Sequence, residues 1–456
     1  MTALAVPLGP KTHLVFLTVI EMLFYFDRGF MSGAQTRLQD AKVVDSEDNT
    51  GVLATLLIVG FMVGSPIFAA TGRRSATHAV RVILIGCAIW VSAMILGFFK
   101  GGSLGWLSAS RFLSGVGQAG FLSFAPAMID LSAPVDKSST YLGIYFTALY
   151  LGAALGTIIG GADFFKTWDE ARYTYLVLAA CMIPLACMMF IWRNRFLAPS
   201  AEESPRRASL NEPVAEPLFS KRAQIKAVLS SKAFLASSVG YGFLMFYIGG
   251  LAYWGPTMVE NIFNLTRADS TFYFGACTVA SGIVGTLLGS LANSKAIASV
   301  SSKPHHLTED GIRAVVSNRL SCLMILSAFP FCLTCLFMES SAVFFAIVFM
   351  AELLLFASTA PVNVALMAAV AEQHRGQAVA LSVMIAHALG DVPSPYIIGF
   401  AVKPEFWGYE PDTNLAQAHR YALLLCTSSL ILTSVAWLVA VRFARKEGIK
   451  KQVEGL

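Results

Sequence analysis

Seven ionisable side chains interrupt runs that are otherwise apolar: Glu21, Asp27, Arg28, Arg111, Glu352, His387 and Asp391. Within hydrocarbon such groups are costly, and they mark substrate pathways, proton relays or paired counter-charges. Arginine presents a planar fork of donors that matches carboxylate or phosphate oxygens, so Arg28 and Arg111 suit an anion. Glu21 and Arg28 are seven residues apart and share a helical face, and Arg111 and Gln118 stand in the same relation. His387 and Asp391 are four apart and can touch. Arg28, Arg111, Gln118 and Glu21 are therefore candidates for holding substrate, and Asp27, His387 and Asp391 for taking up and releasing a proton. The same set has a structural reading, in which Asp27 neutralises an arginine and the charges lock helices together.

Other patterns mimic chemistry without the surroundings it needs. Gly115-Val-Gly117-Gln-Ala-Gly120 spells a dinucleotide fingerprint, but it lies inside an apolar run with no strand before it. Cys332 and Cys335 have metal or redox spacing in a segment without polar neighbours, and read as buried thiols. His305-His306 sits in the polar stretch 302–311 with no further ligands and reads as a solvated loop. His387 with Asp391 lacks the second carboxylate or nucleophile that intramembrane hydrolysis requires. No cofactor, no metal and no enzymatic activity are expected.

What must position the seven groups is a set of membrane helices. Of 456 residues, 56% are hydrophobic and 13% charged, with a mean hydropathy of +0.64. Soluble domains carry about 25% charge, so an ordinary cytosolic enzyme, a disordered chain and a coiled coil are excluded. A net charge of +5 is too mild for nucleic-acid binding. Runs long enough to cross a ~30 Å hydrocarbon core recur twelve times. The first six are 13–31, 51–70, 79–99, 104–131, 140–160 and 173–191. The second six are 234–259, 271–292, 320–338, 342–371, 377–401 and 421–441. With both termini inside, inner segments hold 23 Lys and Arg and outer loops 8, the positive-inside bias.

The chain divides into a six-helix half over 1–193, a cytoplasmic linker over 194–232, a second half over 233–442 and a basic tail over 443–456. The halves also repeat. Lys137 stands fifteen residues before Gly152, and Arg375 fifteen before Gly390; each glycine closes a Leu-Gly pair at the equivalent place in spans five and eleven. The expected fold is an all-α polytopic protein of two pseudo-symmetric six-helix halves.

The run Arg111-Phe-Leu-Ser-Gly115-Val-Gly117 resembles a span-four motif of major facilitator transporters. FYFDRGFMSGA at 24–34, SRFLSGVGQAGFLSFAPAMIDL at 110–131 and HALGDVPSPYIIG at 387–399 resemble the Spinster family of lipid transporters. That resemblance implies the major facilitator fold, a central cavity with Asp27, Arg28 and Arg111 as functional residues, and a lysophospholipid or sphingolipid phosphate as substrate. It also implies proton coupling in many members, and late-endosomal or lysosomal membranes; the plasma membrane is the alternative. A working monomer is expected. The chain departs from the family at two places. Gln118 stands where a glutamate is usual, and Arg73 with Arg74 occupies the gating loop after span two where Gly-Asp-Arg is usual. Two other functions are compatible with the residues: a carrier of small organic anions, and a non-transporting membrane sensor.

Overall fold

In the computed structural model residues 9–44, 47–70, 76–132, 138–193, 221–303, 306–371, 374–410 and 414–453 are described, and every regular element among them is a helix. Among the described residues ten segments are long and apolar enough to cross a membrane. Two more helices lie over expected spans one and four, Pro10–Gly33 and Leu104–Leu122. The first carries Glu21, Asp27 and Arg28, and the second Arg111 with Gln118 and several serines and glycines, all of which lower their apolarity. The last helix, Leu415–Val453, runs on through the basic stretch expected as a tail. Lys and Arg near a helix C-terminus favour that continuation, because they oppose the macrodipole.

Three spans are broken. Span four is Leu104–Leu122 followed by Ala125–Ser132, span ten is Ser341–Ala357 followed by Thr359–Ala368, and span eleven is Arg375–Leu389 followed by Pro393–Ala401. A proline stands just after each break, at Pro126, Pro361 and Pro393. Its ring removes one donor and crowds the preceding turn. Serine hydroxyls hold two of the breaks together: Ser123 donates to the Ala119 carbonyl and Ser358 to the Leu355 carbonyl, each at 2.7 Å.

The chain forms two compact units, Met1–Leu218 and Phe219–Leu456. Within each, glycines bring helices into backbone contact, as small residues do where no hydrophobic force separates helix from lipid. In the first unit a Cβ on Gly29 would lie 1.9 Å from the Ala153 carbonyl oxygen, so span one seats directly on span five, Ser138–Gly161. In the second, a Cβ on Gly289 would lie 1.9 Å from the Ala357 oxygen, seating span eight, Arg267–Ser301, on span ten.

The nucleotide-like glycine pattern belongs to these seams. Gly115 faces the backbone of Leu57 on span two, and Gly117 faces Gly86 on span three. Gly115→Ala would put its methyl 1.8 Å from the Leu57 oxygen, against backbone that cannot yield. The thermal midpoint should fall by an amount equivalent to about 1–3 kcal/mol or more. Gly143→Ala, with open space around the added carbon, should leave it unchanged or slightly raised. Equal midpoints for the two variants would refute this packing role.

Candidate functional site

Asp27 and Arg28 are neighbours on span one, so their side chains leave the helix about 100° apart. Asp27 points into the first unit and is 0% exposed, whereas Arg28 is half-buried. Opposite Asp27 stands Arg111 of span four, also 0% exposed. The two meet as a fork on a carboxylate, Nη1 to Oδ1 at 2.8 Å and Nη2 to Oδ2 at 2.5 Å. Ser114, three residues beyond Arg111 and hence on its face, donates to Oδ2 at 2.7 Å. The Trp90 indole of span three adds a donor at 3.3 Å. Tyr175 of span six, Tyr173–Ile191, closes the group with its ring beside Arg111 and its hydroxyl on Met31 Sδ at 2.9 Å. A buried ion pair holds only with such geometry and additional partners. Here both are present.

The network then passes through neutral groups to Arg28. Gln118 donates to Ser114 Oγ at 3.3 Å, and its Oε1 accepts from Arg28 Nε at 2.8 Å. Arg28 lies over the Tyr25 ring at 4.6 Å and the Phe61 ring at 5.7 Å. Among the described residues no carboxylate pairs with it, and its two terminal nitrogens carry no protein hydrogen bond. Arg111 is thus neutralised and Arg28 is not.

Glu21 shares no ion pair with Arg28 despite their common face. It is buried against Tyr145 of span five, whose hydroxyl is the polar group facing its carboxyl. In the second unit, His387 Nδ1 and Asp391 Oδ2 are 2.6 Å apart at the break of span eleven, each 17% exposed. Gly249 of span seven, Lys232–Phe263, makes room for that carboxylate: a Cβ there would sit 2.5 Å from Asp391 Oδ1. Cys332 and Cys335 are buried and unbridged, and Cys335 Sγ bonds the Cys332 carbonyl. Arg73, Arg74, Lys137 and His305 lie outside the described residues, as does most of the linker.

Trp90, Ser114 and Tyr175 are site residues that spacing arguments missed. The signal was available for Ser114 in its three-residue offset from Arg111. For Trp90 and Tyr175 it lay only in the tendency of buried Trp and Tyr to seek a partner for their polar tips.

Comparison with known proteins bears on all of this. The profile of the Major Facilitator Superfamily matches residues 17–395. "Probable sphingolipid transporter spinster homolog 2" of Arabidopsis thaliana is 30% identical over 418 residues, covering 86% of this chain and 80% of its own. "Protein spinster" of Drosophila melanogaster is 27% identical, covering 84% of this chain and 60% of its own. The fold is shared with a bacterial homologue of the human lysosomal transporter Spinster, solved facing inward and unoccupied. The TM-score is 0.74 at 18% identity, over 96% of this chain and 98% of that one. An all-α chain with charged residues set into membrane helices, matched along most of its length, is a multi-pass membrane transporter rather than an enzyme, and it belongs to the Spinster family of the Major Facilitator Superfamily.

Proposed function

We propose that this transporter moves an anionic single-chain lipid, a lysophospholipid or a sphingolipid phosphate, by alternating access, with Arg28 holding the head group. The observation that carries this reading is charge accounting: among the described residues Arg28 is the guanidinium of the cluster with no ion-paired carboxylate and with terminal nitrogens that donate to no protein group. A phosphate fits that fork. Relatives named as probable sphingolipid transporters support a lipid as the cargo. A small organic anion would satisfy Arg28 equally well and is the second reading. Vesicles containing the purified protein should therefore be offered labelled lysophospholipid, sphingosine phosphate and a short dicarboxylate in parallel. Lipid uptake supports the proposal, and uptake of the dicarboxylate alone replaces it.

Coupling to protons is proposed through Asp27, with His387 and Asp391 as the second pair. A phosphate that took Arg111 would leave the Asp27 charge uncompensated in hydrocarbon, and a proton would offset it. The pair must open for this exchange, because Arg111 is sealed and Arg28 does not touch Asp27. Late-endosomal or lysosomal membranes, action as a monomer and a gating role for Arg73 and Arg74 complete the proposal.

Both termini are proposed to face the cytoplasm, from the 23-to-8 division of basic residues. On a background without native cysteines, single cysteines in the 194–232 linker and the 33–50 loop should label from opposite sides. Labelling from one side would refute the topology.

A further inference from the structure

Span ten holds an ionisable residue that the site above leaves unused. Glu352 is the twelfth residue of the 28-residue span Ser341–Ala368, close to its middle, and is 4% exposed. It faces span eight, with Oε1 3.1 Å from Thr278 Oγ1 and Oε2 2.8 Å from Ser281 Oγ. The titratable groups around it are thiols, Cys277 of span eight and Cys332 of span nine, the helix Glu309–Thr334. Tyr247 of span seven adjoins Cys332. Among the described residues no Lys, Arg or His forms an ion pair with Glu352.

Counting hydrogens favours the protonated form of this carboxyl. A serine hydroxyl has one hydrogen to give. Around Ser281 Oγ stand the Cys277 carbonyl oxygen at 2.8 Å, the Thr278 carbonyl oxygen at 3.2 Å and Glu352 Oε2 at 2.8 Å. Carbonyls only accept. Were Glu352 ionised it would only accept as well, and one hydrogen would face two acceptors at 2.8 Å. A proton on Oε2 resolves the conflict: Glu352 donates to Ser281, and Ser281 donates to the Cys277 carbonyl. The neutral acid is also what hydrocarbon favours for a carboxyl without a counter-cation. Cys277 and Thr278 are half-buried, so the cluster is not closed on that side.

We propose that Glu352 is a proton-binding site of the second unit, held as the carboxylic acid by Ser281 and Thr278, and that its proton is released and regained in the transport cycle. Its use in transport rests on the function proposed above; its protonation does not. Gln118 adds interest to the site, because the span-four position near Arg28 cannot titrate.

Infrared difference spectra of the protein in lipid nanodiscs, between acid and alkaline buffer, test the protonation directly. Wild type should show the carbonyl band of a protonated carboxyl, and Glu352→Gln, neutral and nearly the same shape, should lose that component. Ser281→Ala should keep the component but shift it, since the acid loses its hydrogen-bond acceptor. Superimposable spectra of wild type and Glu352→Gln, or no shift in Ser281→Ala, would overturn the assignment. In vesicles, wild-type flux should respond to an imposed pH gradient and that of Glu352→Gln should respond less, since Asp27 remains titratable. A gradient response unchanged in Glu352→Gln, or absent from wild type, would remove Glu352 from the cycle. Failure of wild type to carry lipid at all would count against the proposed substrate and leave the infrared result standing.

Discussion

Arg28→Ala should abolish lipid flux while the protein remains folded. Arg28 is half-buried, and removing it leaves one neutral acceptor, Gln118 Oε1, without its donor. Two charge-assisted hydrogen bonds to a phosphate, at about 1.5–3 kcal/mol each, correspond to roughly 10²–10⁴ in affinity. Arg28→Lys should recover only part of this, because an ammonium is a point charge and cannot engage two oxygens in one plane. The measurement is uptake of labelled lysolipid by vesicles, with thermal unfolding of the same preparation as the folding control. Wild-type uptake in Arg28→Ala would mean that the phosphate is held elsewhere.

Arg111 and Asp27 should behave in the opposite way, failing in stability before binding can be read. Each is 0% exposed, and each is the other's counter-charge. Arg111→Gln or Asp27→Asn leaves an unpaired charge in the interior of the first unit, which costs about 3–5 kcal/mol. Replacing a buried pair as a whole is far milder, often neutral. The double variant Asp27→Asn with Arg111→Gln should therefore unfold at a higher temperature than either single variant. Additive losses in the double variant would show that the pair is not what the singles lose. This separates the two arginines, which the sequence presents as equivalent ligands for one anion.

Their separation depends on azimuth, and azimuth is what sequence does not carry. Depth in the bilayer follows from counting along a helix, which is how Asp27, Arg28 and Arg111 can be placed on one level. Which of two adjacent residues turns inward depends on what the helix rests upon. Span one rests on span five through Gly29, and that contact leaves Asp27 facing Arg111 and Arg28 facing aside. The glycine pattern at Gly115 is a packing seam, and that use is legible only once Leu57 and Gly86 are brought beside it. The breaks in spans four, ten and eleven had a signal in Pro126, Pro361 and Pro393, which hydropathy windows average away. Glu352 was legible as an ionisable residue in an apolar run. Its partners Thr278 and Ser281 lie more than seventy residues earlier and meet it only through the seam of spans eight and ten.

The Asp27–Arg111 pair also sets an order on the making of this protein. Its two members are 84 residues apart in the chain. At ~5–20 residues per second of synthesis, roughly 4–17 s pass before a ribosome that has made Asp27 reaches Arg111. During that interval span one carries Asp27 and Arg28 with no partner from span four, and such charges oppose insertion of a lone helix, by ~2.5–3.5 kcal/mol at its centre and by less toward its ends. Span one is therefore among the helices least able to enter the bilayer alone. It must stay at the interface, or beside the insertion machinery, until span four supplies the guanidinium and span five the glycine-lined bed. Membrane entry of the first unit is then a joint event of several helices, and it waits on the synthesis of the residues from 27 through span five.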